Sequence, residues 1–161
     1  MSDLADLLER FRRGPEVLAV MLTGAAGEEV DYARAPGKWS IRQILRHLAD
    51  AEIVGAHRFR QILAEDNPTI IAFDQDAWTR NLDYTRRKPA QSLENFRRMR
   101  LDNHELLKDR PEAAFERAGQ HSERGRVTLR ELVEGYAEHV ESHARELQTI
   151  REEWKKLKGR K

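Results

Sequence analysis

The chain has 161 residues, of which 39% are hydrophobic and 35% are charged, enough for one folded domain with its own core. Its 29 basic residues are balanced by 28 acidic ones, so the net charge of +1 predicts no recruitment to nucleic acid or to an anionic membrane. The chain has no cysteine, which excludes disulfides, thiolate metal ligands and a cysteine nucleophile.

Neither end of the chain predicts a targeting or membrane segment. The N-terminus, Met1-Ser2-Asp3-Leu4, has an early acidic residue and no apolar stretch, so we expect no signal peptide. The longest strictly apolar run covers residues 17–22, far short of the roughly 20 residues that span a bilayer. We therefore expect a cytoplasmic protein.

The first helical region is predicted from residue 3 to about residue 24, where apolar side chains recur every three or four positions. Gly14 and Pro15 interrupt it, which predicts a kink or a break with Pro15 in the first turn of a new helix. The second helix is predicted to begin at the capping box of Ser40 and Gln43. Its apolar pattern continues to the Asn-Pro pair at 67–68, where it ends.

The connection after the second helix, residues 67–90, is too long for a simple hairpin and permits a crossover. A short helix from Asp74 to about Leu82 is predicted within it. The third long helix is predicted over residues 91–109, between two prolines.

A second capping box, Thr128 with Glu131, predicts the start of the last helix, whose apolar spacing continues to the C-terminus. Its basic end, from about residue 155 to 161, is predicted to fray and to act as a solubilising helix terminus. No segment alternates with period two, so no substantial sheet is expected. Four long amphipathic helices predict an all-α fold, a single four-helix-bundle domain over residues 1–161.

Two of the six histidines, His139 and His143, lie four residues apart on the last predicted helix, so they leave the same face one turn apart. Apolar residues share that stripe, which indicates that both imidazoles face the interior: Leu132, Tyr136, Leu147 and Ile150.

On the second helix, His47 lies on an apolar stripe between Ile44 and Ala51, and the small Ala51 leaves space for an ion or a ligand. Bundle cores commonly carry metal sites built from facing helices. We therefore predict a divalent-metal site of His47, His139 and His143 with open coordination positions. The alternative is that these are hydrogen-bonded core histidines.

The remaining histidines lack this pattern. His57 could face the same seam as His47, three turns further along the helix. We expect His104 and His121 to be ordinary surface or loop residues.

The chain resembles the DinB/YfiT-like superfamily, and the resemblance covers most of its length in the right order. It rests on four segments: GKWSIRQILRHLADAE (37–52), FDQDAW (73–78), QSLENFRRMR (91–100) and YAEHVESH (136–143). The set of W-S-x6-H-L-A-D followed about ninety residues later by H-x3-H is more specific than any one piece.

The resemblance implies an up-up-down-down or similarly crossed bundle, a homodimer, and a nickel or zinc ion held by His47, His139 and His143. Manganese also accepts imidazole ligands. Some members of the superfamily have a histidine where this chain has Glu52, so their pocket details do not transfer directly.

Two activities follow from the resemblance, and both act on a small-molecule substrate. One is metal-dependent hydrolysis, and the other is thiol S-transfer with an external low-molecular-weight thiol such as bacillithiol or mycothiol. A stress-associated metal- or ligand-binding protein without turnover is the alternative. Asp50 and Glu52 are possible supporting groups of the metal site. Asp50 either bonds a ligand imidazole or a cofactor amine, or pairs with Arg46 or with an arginine on a neighbouring helix, and Glu52 is also a candidate general base. No other catalytic residue is predicted.

Overall fold

The computed structural model of the chain describes residues 3–160. Six α-helices are present in this part of the chain: α1 (Leu4–Arg12), α2 (Gly14–Met21), α3 (Ile41–Ala64), α4 (Gln75–Asn81), α5 (Pro89–Leu107) and α6 (Leu129–Gly159). Three short strands join them: β1 (Thr69–Ile70), β2 (Ala118–His121) and β3 (Gly125–Thr128). The predicted four-helix bundle is confirmed, with α1 and α2 together supplying its first helix.

Both predicted capping boxes begin the helices that carry the candidate histidines. The Ser40 hydroxyl accepts from the Gln43 amide at 3.3 Å, and the Gln43 side chain accepts from the Ser40 amide at 2.9 Å. Thr128 and Glu131 make the same reciprocal pair at 3.1 and 2.8 Å before α6. These bonds satisfy amides that the first helical turn leaves without partners.

The predicted interruption at Gly14 lies between α1 and α2, with Pro15 in the first turn of α2. A Cβ at Gly14 would lie 2.8 Å from Arg100 Nη1, so only glycine allows the guanidinium to approach the chain this closely.

The ion pairs and hydrogen bonds between helices define their directions. Arg10 binds Glu141 at 2.8 Å and Arg151 binds the Met21 carbonyl at 2.9 Å, so α1 and α2 run parallel to α6. Arg117, just before β2, donates to the Ile62 carbonyl at 2.8 Å. The end of α3 therefore lies beside the start of α6, and these two helices are antiparallel.

Helices α3 and α5 are parallel neighbours, because Arg42 binds the Arg87 carbonyl at 3.0 Å and Arg60 binds Asp102 at 2.8 Å. The chain order is therefore up, down, down, up. Of the two arrangements that the resemblance implied, the observed one is not up-up-down-down but a similarly crossed bundle, and its single crossover is the long connection between α3 and α5, as its length permitted.

A small three-stranded sheet closes the end of the bundle where α3 ends and α6 begins. Strand β1 pairs with β2 in parallel, and β2 pairs with β3 in antiparallel orientation. The sequence did not predict this sheet, since its strands have only two to four residues, too few to show a period of two.

The C-terminal end of α6 is helical to Gly159, so the predicted fraying does not extend to this part of the chain. Lys158 binds Glu28 at 3.1 Å and lies 4.6 Å from the centre of the Trp154 ring. The predictions for Met1, Ser2 and Lys161 lie outside the described residues. No helix described here has both the length and the apolar character required to cross a membrane.

Candidate metal centre

Three imidazoles from α3 and α6 converge on one point inside the bundle. His47 Nε2 lies 3.0 Å from His139 Nε2, and His143 Nε2 lies 3.1 Å from the same atom. One ligand atom from each ring lies within 4.8 Å of the others. The structure therefore brings together the three histidines predicted to share an ion.

The close approach of α3 to α6 makes this convergence possible. Gly55 lies two turns after His47, and a Cβ at this position would lie 2.7 Å from Cε1 of Tyr136. A larger residue here would displace the Tyr136 ring or the helix that carries it, since real side-chain carbons do not approach so closely. His47 itself is buried, with 1% of its surface exposed.

Burial keeps two of the rings neutral. Burial lowers the pKa of His47 to about 3, and the neighbouring His139 and His143 rings add to the effect. Burial also lowers the pKa of His139 to about 4, with contributions from His143 and Arg100. A neutral imidazole has a free lone pair on one nitrogen, the form that binds metal ions.

Glu146 orients the third ring. Its carboxylate lies 2.8 Å from His143 Nδ1, one helical turn along α6. An Nδ1–H that donates to this carboxylate leaves the Nε2 lone pair directed at the other two histidines. A carboxylate commonly supports a metal-binding histidine in this way. The sequence analysis did not select Glu146, although its i, i+3 spacing from His143 could have indicated it.

Trp39 covers the cluster just before α3 begins. Its ring centre lies 4.8 Å from that of His47, and 6.4 Å from that of His143 with the planes only 17° apart. The indole therefore restricts rotation of both imidazoles and shields them from solvent.

The geometry of the donor set fits a divalent ion. Four tetrahedral nitrogen ligands at about 2.0–2.1 Å from zinc lie about 3.3 Å apart, close to the observed separations of 3.0 and 3.1 Å. Three protein ligands leave at least one coordination position open, which is typical of catalytic rather than structural zinc sites.

Asp50 does not support a histidine ring in this structure. One carboxylate oxygen pairs with Arg46 at 2.7 Å, and the other accepts the Tyr84 hydroxyl at 2.6 Å. Of the two interpretations that the sequence left open, the ion pair with Arg46 is the observed one.

Glu52 is directed away from the histidines, so its predicted roles as supporting group and general base are wrong for this arrangement. Its side chain is 1% exposed and receives two hydrogen bonds from Arg100, at 2.9 and 2.8 Å, and one from Asn103 at 3.0 Å. It lies five positions after His47, which places the two side chains about 140° apart around the helix.

A pocket of about 220 Å³ opens beside the centre, and His47 and His139 form part of its wall. The rest of the wall combines apolar, polar and basic residues: Ala51, Phe73, Leu132, Gly135, Gln75, Tyr136, Arg58 and Arg124. Burial raises the pKa of Tyr136 to about 12, so its phenol remains protonated at neutral pH and can donate a hydrogen bond into the pocket.

The other histidines lie away from the centre. His57 is exposed, so it does not face the seam of His47, and His104 is half-buried on α5. His121 is buried at the end of β2, where its Nδ1 accepts the amides of Glu123 and Arg124, so the expectation of a surface residue is wrong for it.

Comparisons with known proteins identify the family of this chain and agree with its architecture. A sequence model of the DinB superfamily matches residues 10–147. The "Putative metal-dependent hydrolase OB0782" of Oceanobacillus iheyensis is 27% identical over 143 residues, which cover 87% of this chain and 82% of that protein. The "Putative metal-dependent hydrolase YfiT" of Bacillus subtilis is 28% identical over 116 residues, which cover 71% of this chain and 65% of that protein.

The solved structure of that Bacillus subtilis protein has the same fold. It superimposes with a TM-score of 0.87 at 22% identity, over 93% of this chain and 86% of the other. It is described as a probable metal-dependent hydrolase with an unusual four-helix bundle topology. This chain, with its up-down-down-up order of helices, is therefore similar to that bundle over nearly its whole length.

Proposed function

Because this chain belongs to the DinB superfamily, we propose that it is a metal-dependent hydrolase acting on a small molecule. The observation that carries the proposal is the convergence of three imidazoles on one point beside a pocket. The names of its relatives, which refer to metal-dependent hydrolysis, support it.

His47, His139 and His143 would hold the ion, with nickel or zinc favoured and manganese also compatible with imidazole ligands. A bound divalent ion supplies Lewis acidity, which polarises a carbonyl or phosphoryl group and lowers the pKa of water or of a thiol that reaches it. Since all three ligands are neutral, they leave the charge of the ion undiminished.

The protein's own groups bind and orient the substrate. The Tyr136 phenol lines the pocket one turn before His139 and can donate to an oxygen that gains negative charge during the reaction. Glu146 holds the His143 ring in one tautomer, and Trp39 keeps water away from two of the rings. The 220 Å³ pocket lies below the range of about 300–1,000 Å³ for drug-sized ligands, which favours a small substrate.

Thiol S-transfer is a second candidate, and the composition of the pocket favours it. Among the described residues, those lining the pocket include no aspartate and no glutamate. Hydrolysis commonly uses a carboxylate to move protons, whereas a thiol requires only ionisation to become the nucleophile. The chain has no cysteine, so the sulfur would come from a low-molecular-weight thiol.

Metal analysis and activity assays of one protein preparation test both candidates. The chain is stripped with a chelator, reloaded separately with nickel, zinc or manganese, and assayed with panels of esters, amides and phosphoesters. A parallel panel combines electrophiles with glutathione, coenzyme A, bacillithiol or mycothiol. We expect one ion per chain and metal-dependent turnover. Both should be lost in His139→Ala and retained in His57→Ala, which removes an exposed histidine on α3.

The outcomes separate the candidates. Turnover without thiol supports the hydrolase, and turnover only with thiol supports the transferase. Stoichiometric metal binding without turnover in either panel would favour a non-catalytic binding protein. If His139→Ala binds metal as tightly as the unmodified chain does, the proposed centre is wrong.

A further inference from the structure

The pocket beside the histidines contains a buried arginine on α3. Arg58 is only 9% exposed and lines the pocket together with His47 and His139. One of its terminal nitrogens donates to the Ile71 carbonyl at 2.8 Å, and the other lies 3.5 Å from the Tyr136 hydroxyl. The buried Nε has no hydrogen-bond partner among the described residues.

The charge of Arg58 is also unbalanced. Within residues 3–160, no carboxylate lies within ion-pair distance of it, and both of its hydrogen-bond acceptors are neutral. Leaving a cation buried without an anion costs free energy. The other deeply buried arginine of the bundle, Arg100, has a bidentate carboxylate partner in Glu52. Arg58 is therefore an orphaned cation that faces a cavity.

A second cation lines the same cavity. Arg124 lies in the turn between β2 and β3, and it too makes no ion pair with any residue that the structure describes. With no acidic residue in the described wall, the pocket is locally positive although the whole chain is nearly neutral. A positive pocket with low-dielectric walls attracts and retains anions.

We propose that Arg58 and Arg124 form an anion subsite, and that the substrate of the metal centre is a small molecule carrying a carboxylate or phosphate group. This proposal rests on the proposed function for the reacting end of the molecule. The anionic end binds the guanidinium of Arg58, whose planar set of donors suits two acceptor oxygens. Ala51, Phe73 and Leu132 form the apolar wall that contacts the rest of the molecule.

Hydroxamates with different tails test the subsite in zinc-loaded protein, because the hydroxamate group binds the ion in every probe. The tails end in a carboxylate, a phosphonate or a neutral carboxamide, with two, three or four methylene groups between the ends. Dissociation constants are measured by calorimetry. We expect the best anionic tail to bind at least about tenfold more tightly than its carboxamide match, as for a hydrogen bond to a charged group.

Arginine variants assign that preference to the subsite. In Arg58→Gln the ratio between anionic and carboxamide tails should fall to about two, the share left to Arg124, while the carboxamide probe itself binds as before. Arg58→Lys, which keeps the charge, should restore part of the ratio. Arg124→Gln should reduce it by a smaller factor, about twofold, since Arg124 is exposed. Arg126→Gln is the matched control, because Arg126 is exposed on the same hairpin but does not line the pocket.

Each result decides the proposal. A preference for the carboxylate or the phosphonate tail identifies which anion the subsite takes. Equal affinities of anionic and carboxamide probes overturn the subsite and leave the metal centre intact.

If no hydroxamate binds, the proposed metal centre is wrong, and titration of the metal-free protein with phosphate and glutarate decides the subsite. Binding there that disappears in Arg58→Gln supports it, and binding that is absent or unchanged overturns it. If Arg58→Gln does not fold, Arg124→Gln decides: a reduction of the ratio by about twofold supports the subsite, and an unchanged ratio overturns it.

Discussion

Two buried polar clusters lie within one bundle, and they differ in how completely the protein satisfies them. Arg100, on α5, bonds to groups on the other three helices of the bundle. They are the Glu52 carboxylate on α3, the Phe11 carbonyl on α1 at 2.9 Å and the Tyr136 carbonyl on α6 at 3.3 Å. Its guanidinium also lies 4.0 Å from the centre of the Phe11 ring. Every charge in this cluster has its counterpart within the chain.

The polar groups of the histidine cluster are less completely satisfied within the chain. Three Nε2 atoms face one another, and among the described residues only His143 has a carboxylate beside its other ring nitrogen. An Nε2–Nε2 hydrogen bond forms only where one of the two rings carries its proton on Nε2, whereas a cation between the rings is bound by all three lone pairs. Burial alone therefore does not identify a functional group. A buried polar group that lacks an internal partner indicates where an external ligand belongs.

The largest effect is expected from breaking the closed cluster. Arg100→Met leaves the Glu52 carboxylate buried without its partner, so the free energy of unfolding should fall by about 3–5 kcal/mol. Urea denaturation of metal-free protein measures this. Arg98→Met, on the same helix but 76% exposed, should change it by less than about 0.5 kcal/mol. Equal losses in the two variants would mean that the buried pair is not a stabilising connection between the helices.

Metal addition should stabilise the open cluster by a similar amount. With free ion at about 1,000 times the dissociation constant, the free energy of unfolding should rise by about 4 kcal/mol, because only the folded chain assembles the site. Thermal unfolding with and without nickel or zinc measures this gain. The gain should disappear in His139→Ala and remain in His57→Ala. A gain that survives the loss of His139 would place the ion elsewhere.

Acid should destabilise the metal-free protein through the same cluster. The pKa of His47 is lowered by burial to about 3 in the folded chain, against about 6.5 when unfolded. The unfolded state therefore binds more protons below pH 6.5, and stability is lost as the pH falls from there. At pH 5 the loss from His47 is about 2 kcal/mol relative to pH 7.5.

Denaturant titrations at the two pH values check this, and His47→Gln should show a correspondingly smaller loss on acidification. His57→Gln is the control, since His57 is exposed and should leave the pH dependence unchanged. An identical acid response in His47→Gln and the unmodified chain would contradict the assignment.

The smallest effect is expected from the group that orients His143. Glu146→Gln removes the carboxylate that selects the ring tautomer, so metal affinity should fall by about tenfold. This is the lower end of the losses seen when a histidine ligand loses its carboxylate partner, because Glu146 is 34% exposed. Competition with a chromogenic chelator measures the affinity. Glu138→Gln, an exposed glutamate on the same helix, should leave it unchanged. Loss of affinity in both variants would indicate a general charge effect rather than orientation.

Signals between adjacent residues were enough to predict the helices and the three candidate metal ligands. Capping boxes and apolar spacing are local signals, so the starts of α3 and α6 and the break at Gly14 could be predicted from adjacent residues. The i, i+4 spacing of His139 and His143 on an apolar stripe belongs to the same class of signal. His47 joined them because its stripe was also apolar, and the resemblance to a known superfamily supplied the remaining step.

Only the tertiary structure decided the helix order, the small sheet and the identity of the supporting groups. Glu52 and Arg58 are charged residues on one helix, and nothing nearby in sequence distinguishes them. Glu52 meets Arg100, forty-eight positions away, whereas Arg58 meets only neutral oxygens and a cavity. Which buried charge is balanced depends on contacts between distant segments, and local periodicity carries no information about them.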